Sequence, residues 1–455
     1  MSSDPLFGPS FSSAAMLEVM SASSWVQAML DVEAALARAE AKTGMIPAEA
    51  ADAIAAHCRA NEFDIAELGS DAADSANPAN PLVSALRSKV SQQAAPYVHR
   101  GATSQDIIDT AMMLLARRGI ALILEDLEGA ADASATLAEH HRSTVMAART
   151  LMQQALVTSF GLKAASWLVS IVEAGDRLAV IGKQRLALQF GGAVGTLAAL
   201  GVQGPAVSRE LARLLDLREP VMPWHAARER MAELGSALAT ATGTAGKVAL
   251  DIVLMAQTEV GEVREPAAGG RGGSSTMPQK QNPVWAVEIL AAARAINGPA
   301  AVLQAAILQE HERAAGAWQS EWPAFAEAFR LAGGAAWRLK LLLSSLEIDA
   351  ERMRTNLDAS GGSLMAESLV TTLAARINPI AARKLVEAAV EEASRSRRRF
   401  RQVVKDDPLI VAQLPAGEVE AALDPARYLG ASDAFIARAL DLHEKRKRDG
   451  WAGSW

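Results

Sequence analysis

The residues most able to do chemistry lie between Gly269 and Pro283, in the stretch GGRGGSSTMPQKQNP. Gly269, Gly270, Gly272 and Gly273 allow positive φ and expose backbone N–H groups. They lead straight into the paired hydroxyls of Ser274 and Ser275, followed by Lys280 and Asn282. A hydroxyl to carry a proton, an ammonium and an amide to hold oxygens, and a backbone that can close over a small anion suit proton transfer beside a carboxylate. Asn282 is also placed to cap a helix that Pro283 begins, and the two roles are compatible.

The segment GSSTMPQKQNP resembles the signature loop of the fumarase/aspartase superfamily. That resemblance implies a serine exchanging a proton with the carbon next to a carboxylate, through an enediolate. By position in the motif the serine is Ser274, with Lys280 and Asn282 on the charged carboxylate and Ser275 beside them as a further substrate contact. HRGATSQDIIDT, from His99 to Thr110, resembles the first shared region, in which Thr103 and Ser104 would donate to a substrate carboxylate. Capping of a long helix by Thr103 or Ser104, with Asp106 in its first turn, explains the same residues. A helix start also offers free N–H groups and a positive dipole end, so both uses can hold together. His99, just ahead, is either structural or a substrate contact.

ARTLMQQALVTSFG, from Ala148 to Gly161, resembles the second shared region: Arg149, Thr150 and Gln153 match, with Thr150 and Gln153 as substrate contacts. The superfamily's lyases carry a histidine where this chain has Leu151. Expelling an amine or adding water requires proton transfer at the leaving group, whereas a carboxylate with a pKa of roughly 4 departs already ionised. The departure therefore fits the lactone-forming cycloisomerases of the superfamily, in which one carboxylate of a muconate attacks the conjugated diene and only carbon is protonated. QEHERAAGAWQSEW, PWHAARERMAE and LDPARYLGASDAF resemble the same branch. Arg228 and Arg313 could fork onto the extra carboxylates of a tricarboxylate, or form surface salt bridges with Glu229 and Glu312. A lyase that releases fumarate and a non-catalytic helical scaffold are the rival readings.

These groups must be carried by helices. Alanine and leucine dominate, and the aromatic fraction of 4% is low, which favours an all-α fold. Residues 1–110 read as short helices broken by Pro47, Pro78, Pro81 and Pro96. A bundle over residues 111–346 follows, its long helices near 104–142, 154–188, 226–263, 284–312 with a kink at Pro299, and 320–346. Gly119, on the apolar stripe of Ile108, Met112, Leu115 and Leu122, would let another helix come close. A small domain over residues 347–455 completes the chain. Wide apolar stripes predict partner chains, and the superfamily resemblance implies a homotetramer with an intertwined core.

The formal net charge of −7 argues against nucleic acid. The arginines from Arg395 to Arg401 are flanked by acids and read as a solvated face. QFGGAVGT lacks the lysine of a phosphate loop, leaving Thr196 near the site at best. No metal-ligand spacing appears, His225 and His311 stand isolated, and no cofactor is expected. The single cysteine, Cys58, excludes an internal disulfide. With no signal peptide and no uninterrupted apolar span of bilayer length, the expectation is a soluble, cytoplasmic enzyme with a small polycarboxylate substrate and no membrane partner.

Overall fold

The computed structural model describes residues 6–267 and 270–451. The expected long helices are Ser104–His140, Phe160–Gln184, Glu229–Met255, the successive pair Val284–Ala295 and Asn297–Ala305, and Ala317–Ser345. The Ser104–His140 helix packs against the Phe160–Gln184 and Ala317–Ser345 helices and against Ala22–Lys42 of the N-terminal region. Every residue from Gln105 to Ala116 is buried, so its first turns are core on all sides rather than amphipathic. Gly119 does what its place on the stripe suggests. A Cβ there would lie 2.5 Å from the Phe329 ring, so only glycine permits this approach of two bundle helices.

Two boundaries differ from expectation for physical reasons. The break in the fourth helix falls between Ala295 and Asn297, one turn ahead of Pro299, where the proline ring meets the carbonyl four residues back and supplies no N–H to it. The helix expected from residue 154 instead begins at Phe160, where the Ser159 hydroxyl accepts the N–H of Leu162 at 3.1 Å. Residues ahead of it form a hairpin, Val145–Thr150 with Gln153–Ser159, and a second short pair joins Val263–Arg264 to Glu347–Ile348. The other regular elements among the described residues are helices, apart from two isolated bridges.

The core has two parts. One joins the bundle to the N-terminal helices. The other gathers Leu357, Met365, Leu369, Phe400 and Ile410 of the C-terminal region around Val145, Ala147 and Val157 of the hairpin. The last helix, Ser432–Asp449, leaves that second cluster and packs on Phe160–Gln184, with Trp451 against Gly175. Contrary to the expectation of no span of bilayer length, Glu229–Met255 and Val284–Ala305 are long and apolar enough by composition to cross a bilayer. Both are bundle helices that keep apolar faces open, including Leu250, Val287 and Val302.

Two acids sit one above the other on the N-terminal Ala22–Lys42 helix: Glu33 and Glu40, both buried. Neither carboxyl oxygen of Glu40 has a hydrogen-bond partner among the described residues. Burial pushes its pKa from 4.5 up to about 8, against the pull of Arg100 and with help from Glu33. The folded chain thus keeps a proton that the unfolded chain releases above pH 4.5, and this group costs stability progressively as pH rises through that window. Glu40→Met should gain on the wild type by up to roughly 1.4 kcal/mol per pH unit between pH 5 and 8 in urea melts. An advantage independent of pH would show that Glu40 is not held neutral.

Candidate active site

The glycine-serine loop is closed at its neck. Glu265, 2% exposed, accepts the N–H of Trp285 at 3.1 Å and of Ala286 at 2.9 Å, occupying the first-turn donors of the Val284–Ala295 helix. Asn282 was expected to cap that helix with Pro283 as its first residue. In fact Pro283 holds the cap position and Glu265 does the capping. Asn282 instead ties the loop across itself, its backbone N–H and side-chain amide both donating to the Gly272 carbonyl at 2.8 and 3.0 Å. Gly272 has φ +78°, and a Cβ there would stand 2.6 Å from the Asn282 carbonyl oxygen. Gly269 lies outside the described residues.

Inside this loop the Ser274 hydroxyl oxygen accepts the N–H groups of Thr276 at 3.2 Å and Met277 at 3.1 Å. Two donors converging on one oxygen favour its deprotonated form. Ser275 and Lys280 are exposed, whereas Ser274 and Asn282 are half-buried. Met277, Lys280 and Asn282 line a cavity of about 960 Å³ together with Arg264, Glu265 and Glu347.

A second group gathers at the start of the Ser104–His140 helix. Asp106, 1% exposed, accepts the N–H of Thr103 at 3.0 Å, of Gly191 and Gly192 at 2.9 Å each, and a bond from His225 Nε2 at 2.7 Å. The QFGGAVGT glycines therefore do bind an anion, but it is a carboxylate of the chain itself. His225, which looked isolated in sequence, is one partner of this knot. Gln105 extends it, donating to the His225 carbonyl at 3.0 Å and accepting from Arg313 Nε at 3.0 Å. Arg313 also donates to the Ala193 carbonyl at 3.1 Å and stays half-exposed. The Ser104 hydroxyl donates to Asn80 Oδ1 at 2.8 Å, and His99 Nδ1 lies 2.6 Å from Glu33 Oε1. Thr196 is exposed.

The third group is the hairpin tip. Thr150 faces Gln153 across a two-residue turn of Leu151 and Met152, with φ +51° and +65°, as a tight hairpin of this kind requires. Leu151 is 96% exposed. Behind the tip, Arg149 grips the buried Glu262 with two hydrogen bonds of 2.9 and 2.7 Å, and Asn356 donates to the same carboxylate at 2.9 Å. Among the described residues no hydrogen bond joins a candidate residue of one group to a candidate residue of another.

Arg228 is a correction. It is fully buried, its guanidinium forked onto Asp109 at 2.6 and 3.1 Å and bonded to Glu321 through both Nε and Nη2. Trp318 Nε1 donates to Asp109 at 3.0 Å, and the Trp224 ring lies 4.8 Å from the guanidinium carbon. Burial pushes Glu321 up to about 7 despite Arg228, as expected where two acids share one cation. With four of its five N–H groups engaged and no surface exposed, Arg228 is shut away from a substrate. No cluster of three or more metal-ligating side chains exists among the described residues. Cys58 is buried and its thiol is pushed up to about 12, mainly by desolvation, which leaves it unreactive.

An all-helical body, a donor-lined serine loop and a helix mouth define the class, and the comparisons agree. Residues 10–298 match the family described as Lyase, and residues 362–439 match the adenylosuccinate lyase C-terminus. The chain belongs to the lyase family of the fumarase/aspartase superfamily. It is 48% identical to a 3-carboxy-cis,cis-muconate cycloisomerase of Bradyrhizobium diazoefficiens, over 97% of this chain and 98% of that one. A nitrosuccinate lyase of Streptomyces davaonensis is 42% identical over 92% of this chain and 91% of its own length. The crystal structure of the 3-carboxy-cis,cis-muconate lactonizing enzyme from Pseudomonas putida superposes with a TM-score of 0.93 at 40% identity, covering 98% of this chain and all of that one.

Arg228→Met should cost about 3–5 kcal/mol by leaving two buried acids without their cation, read as a lowered denaturant midpoint. An unchanged midpoint with a raised KM would restore Arg228 to the substrate site.

Proposed function

We propose that this protein interconverts 3-carboxy-cis,cis-muconate and 4-carboxymuconolactone. The observation that carries the reading is Leu151: the hairpin tip, flanked by Thr150 and Gln153, presents hydrocarbon where an amine- or water-handling lyase needs a proton donor. A carboxylate that adds to or leaves from the substrate requires none. Relatives over nearly the whole chain with that activity in their names support it.

In the lactonising direction a substrate carboxylate oxygen bonds to the diene carbon, and the displaced electron pair collects on the neighbouring carboxyl as an enediolate. Lys280 and Asn282 stabilise that charge, and Ser274 transfers its hydroxyl proton to carbon. The resulting alkoxide is held by the Thr276 and Met277 N–H groups until solvent returns a proton. A trianion becomes a dianion, so each turnover takes up one proton. In reverse, the Ser274 alkoxide is the base.

The three groups described above are brought together by assembly. Val180, Leu250, Val287 and Val302 leave apolar surface open on four bundle helices of the single chain, and burying it in a homotetramer would let a hairpin tip, a helix mouth and a serine loop from different subunits meet. Thr103, Ser104, Thr150, Gln153 and Arg313 then become substrate contacts of a composite site.

The test follows diene absorbance with 3-carboxy-cis,cis-muconate while recording pH in weak buffer, with adenylosuccinate as the comparison substrate. One proton consumed per diene lost is expected, and fumarate release from adenylosuccinate with no muconate turnover would overturn the reading. Ser274→Ala should lower kcat by about 10²–10⁴-fold. Full activity in that variant would remove serine from the proton transfer.

A further inference from the structure

Of the two buried acids on the N-terminal helix, Glu33 is the one that reaches the residues beside the helix mouth. Glu33 is 1% exposed, yet it reaches out of the Ala22–Lys42 helix to His99 Nδ1 at 2.6 Å. His99 is four residues ahead of Ser104's cap residue Thr103 and holds φ +61°, a conformation that a β-carbon resists. The neighbouring Gly101 has φ +70°. A sharp turn is thus locked from beneath by a carboxylate, immediately before the helix start that carries Thr103 and Ser104.

We propose that Glu33 is a positioning residue for the substrate site: by engaging Nδ1 it fixes the His99 ring and leaves Nε2 to bond a carboxylate of the substrate beside Thr103 and Ser104. The proposal rests on the function assigned above and adds a residue on an element outside every motif of that function. The physics is that of a buried acid orienting an imidazole, fixing its tautomer and favouring its protonated form. An imidazolium so held is a fixed cation for a polyanionic substrate.

The charged surroundings are consistent with that role. Burial lowers the His99 pKa, but Glu33 and then Asp106 on the Ser104–His140 helix outweigh it and Arg87 on the Ala79–Lys89 helix, so the net shift is upward. Behind Glu33 lie Arg100, which donates to the Met45 carbonyl at 2.6 Å, Glu40, held neutral with a pKa of about 8, and the inert thiol of Cys58. Because Glu40 is held neutral at pH 7, the negative charges acting on the His99 ring are those of Glu33, in direct contact, and Asp106. A merely structural ion pair would need no nitrogen spare; here Nε2 has no hydrogen bond among the described residues, and 15% of the side-chain surface stays open.

Glu33→Gln keeps the shape and an acceptor for Nδ1 but removes the charge. With 3-carboxy-cis,cis-muconate it should raise KM about tenfold with kcat within about threefold, and the alkaline fall of kcat/KM should move down by about one pH unit. His99→Gln should lose that fall altogether. In parallel, ¹³C-labelled histidine NMR of the resting protein, with His99 assigned by its loss in His99→Gln, should show it titrating above the ordinary 6.5 in the wild type and lower in Glu33→Gln. Superimposable pH profiles, or a fall in kcat with KM unchanged, would overturn the proposal. If Glu33→Gln does not fold, a wild-type His99 signal titrating at or below 6.5 overturns it on its own. If no muconate is consumed by the wild type, the function assignment fails, while the NMR titration still judges the Glu33–His99 pair.

Discussion

The structure depends most on one carboxylate. Asp106 accepts from Thr103, Gly191, Gly192 and His225, so four donors from three separate stretches of sequence converge on a group shut away from water. Satisfying a buried ion this fully is what makes its burial tolerable. The geometric result is that the helix mouth, the glycine break between two bundle helices and the segment leading into the Glu229–Met255 helix are held as one body. Gln105 carries the same constraint to Arg313, just ahead of the Ala317–Ser345 helix. Thr103 and Arg313 take their positions from this knot, while Asn80 and Glu33 hold Ser104 and His99 beside it.

Four more buried acids follow the same rule, while Glu40 on the N-terminal helix, with no donor on either oxygen, departs from it. Arg228 serves Asp109 and Glu321; Arg149 and Asn356 serve Glu262; the first-turn N–H groups of a helix serve Glu265. These clasps sit where elements of different sequence position meet: the first between the Ser104–His140 and Ala317–Ser345 helices, the second between hairpin and C-terminal region, the third at the neck of the serine loop. At the tips of these clasped elements Ser275, Lys280 and Leu151 are left open. A frame clasped by buried charge pairs thus carries a few open ends, which is the arrangement that preorganised electrostatic stabilisation requires.

The long helices were legible because their apolar stripes repeat over many turns, and Gly119 was legible because glycine on such a stripe has few other uses. The serine loop was legible because its residue types and offsets are specific. The hairpin was not: Val145 to Ser159 is too short to show periodicity, and its turn uses Leu151 and Met152 where asparagine and glycine would announce it. Ser159 as a cap and the β-branched Val157 and Thr158 were the available signals. Arg228 was misplaced because Glu229 beside it suggested a surface, while its real partners lie 119 and 93 residues away. His225, Glu262 and Glu33 were missed for the same reason, since a pair formed across such distances leaves no local pattern.

Leu151 and Met152 hold left-handed φ, a conformation costing on the order of 1 kcal/mol or more for each non-glycine residue. Such strain persists only where the surroundings over-determine it. Here the hairpin is clamped by Arg149 on Glu262 and by Val145, Ala147 and Val157 in the C-terminal cluster, so the tip is a rigid projection and not a loose loop. In the composite site proposed above, that projection delivers an isobutyl group beside Thr150 and Gln153. Hydrocarbon there cannot move a proton, but it excludes water, and a drier site strengthens the attraction of Lys280 for a developing enediolate. Under the proposed mechanism, in which Ser274 supplies the one proton that carbon needs, the projection serves the reaction by keeping water away from the enediolate.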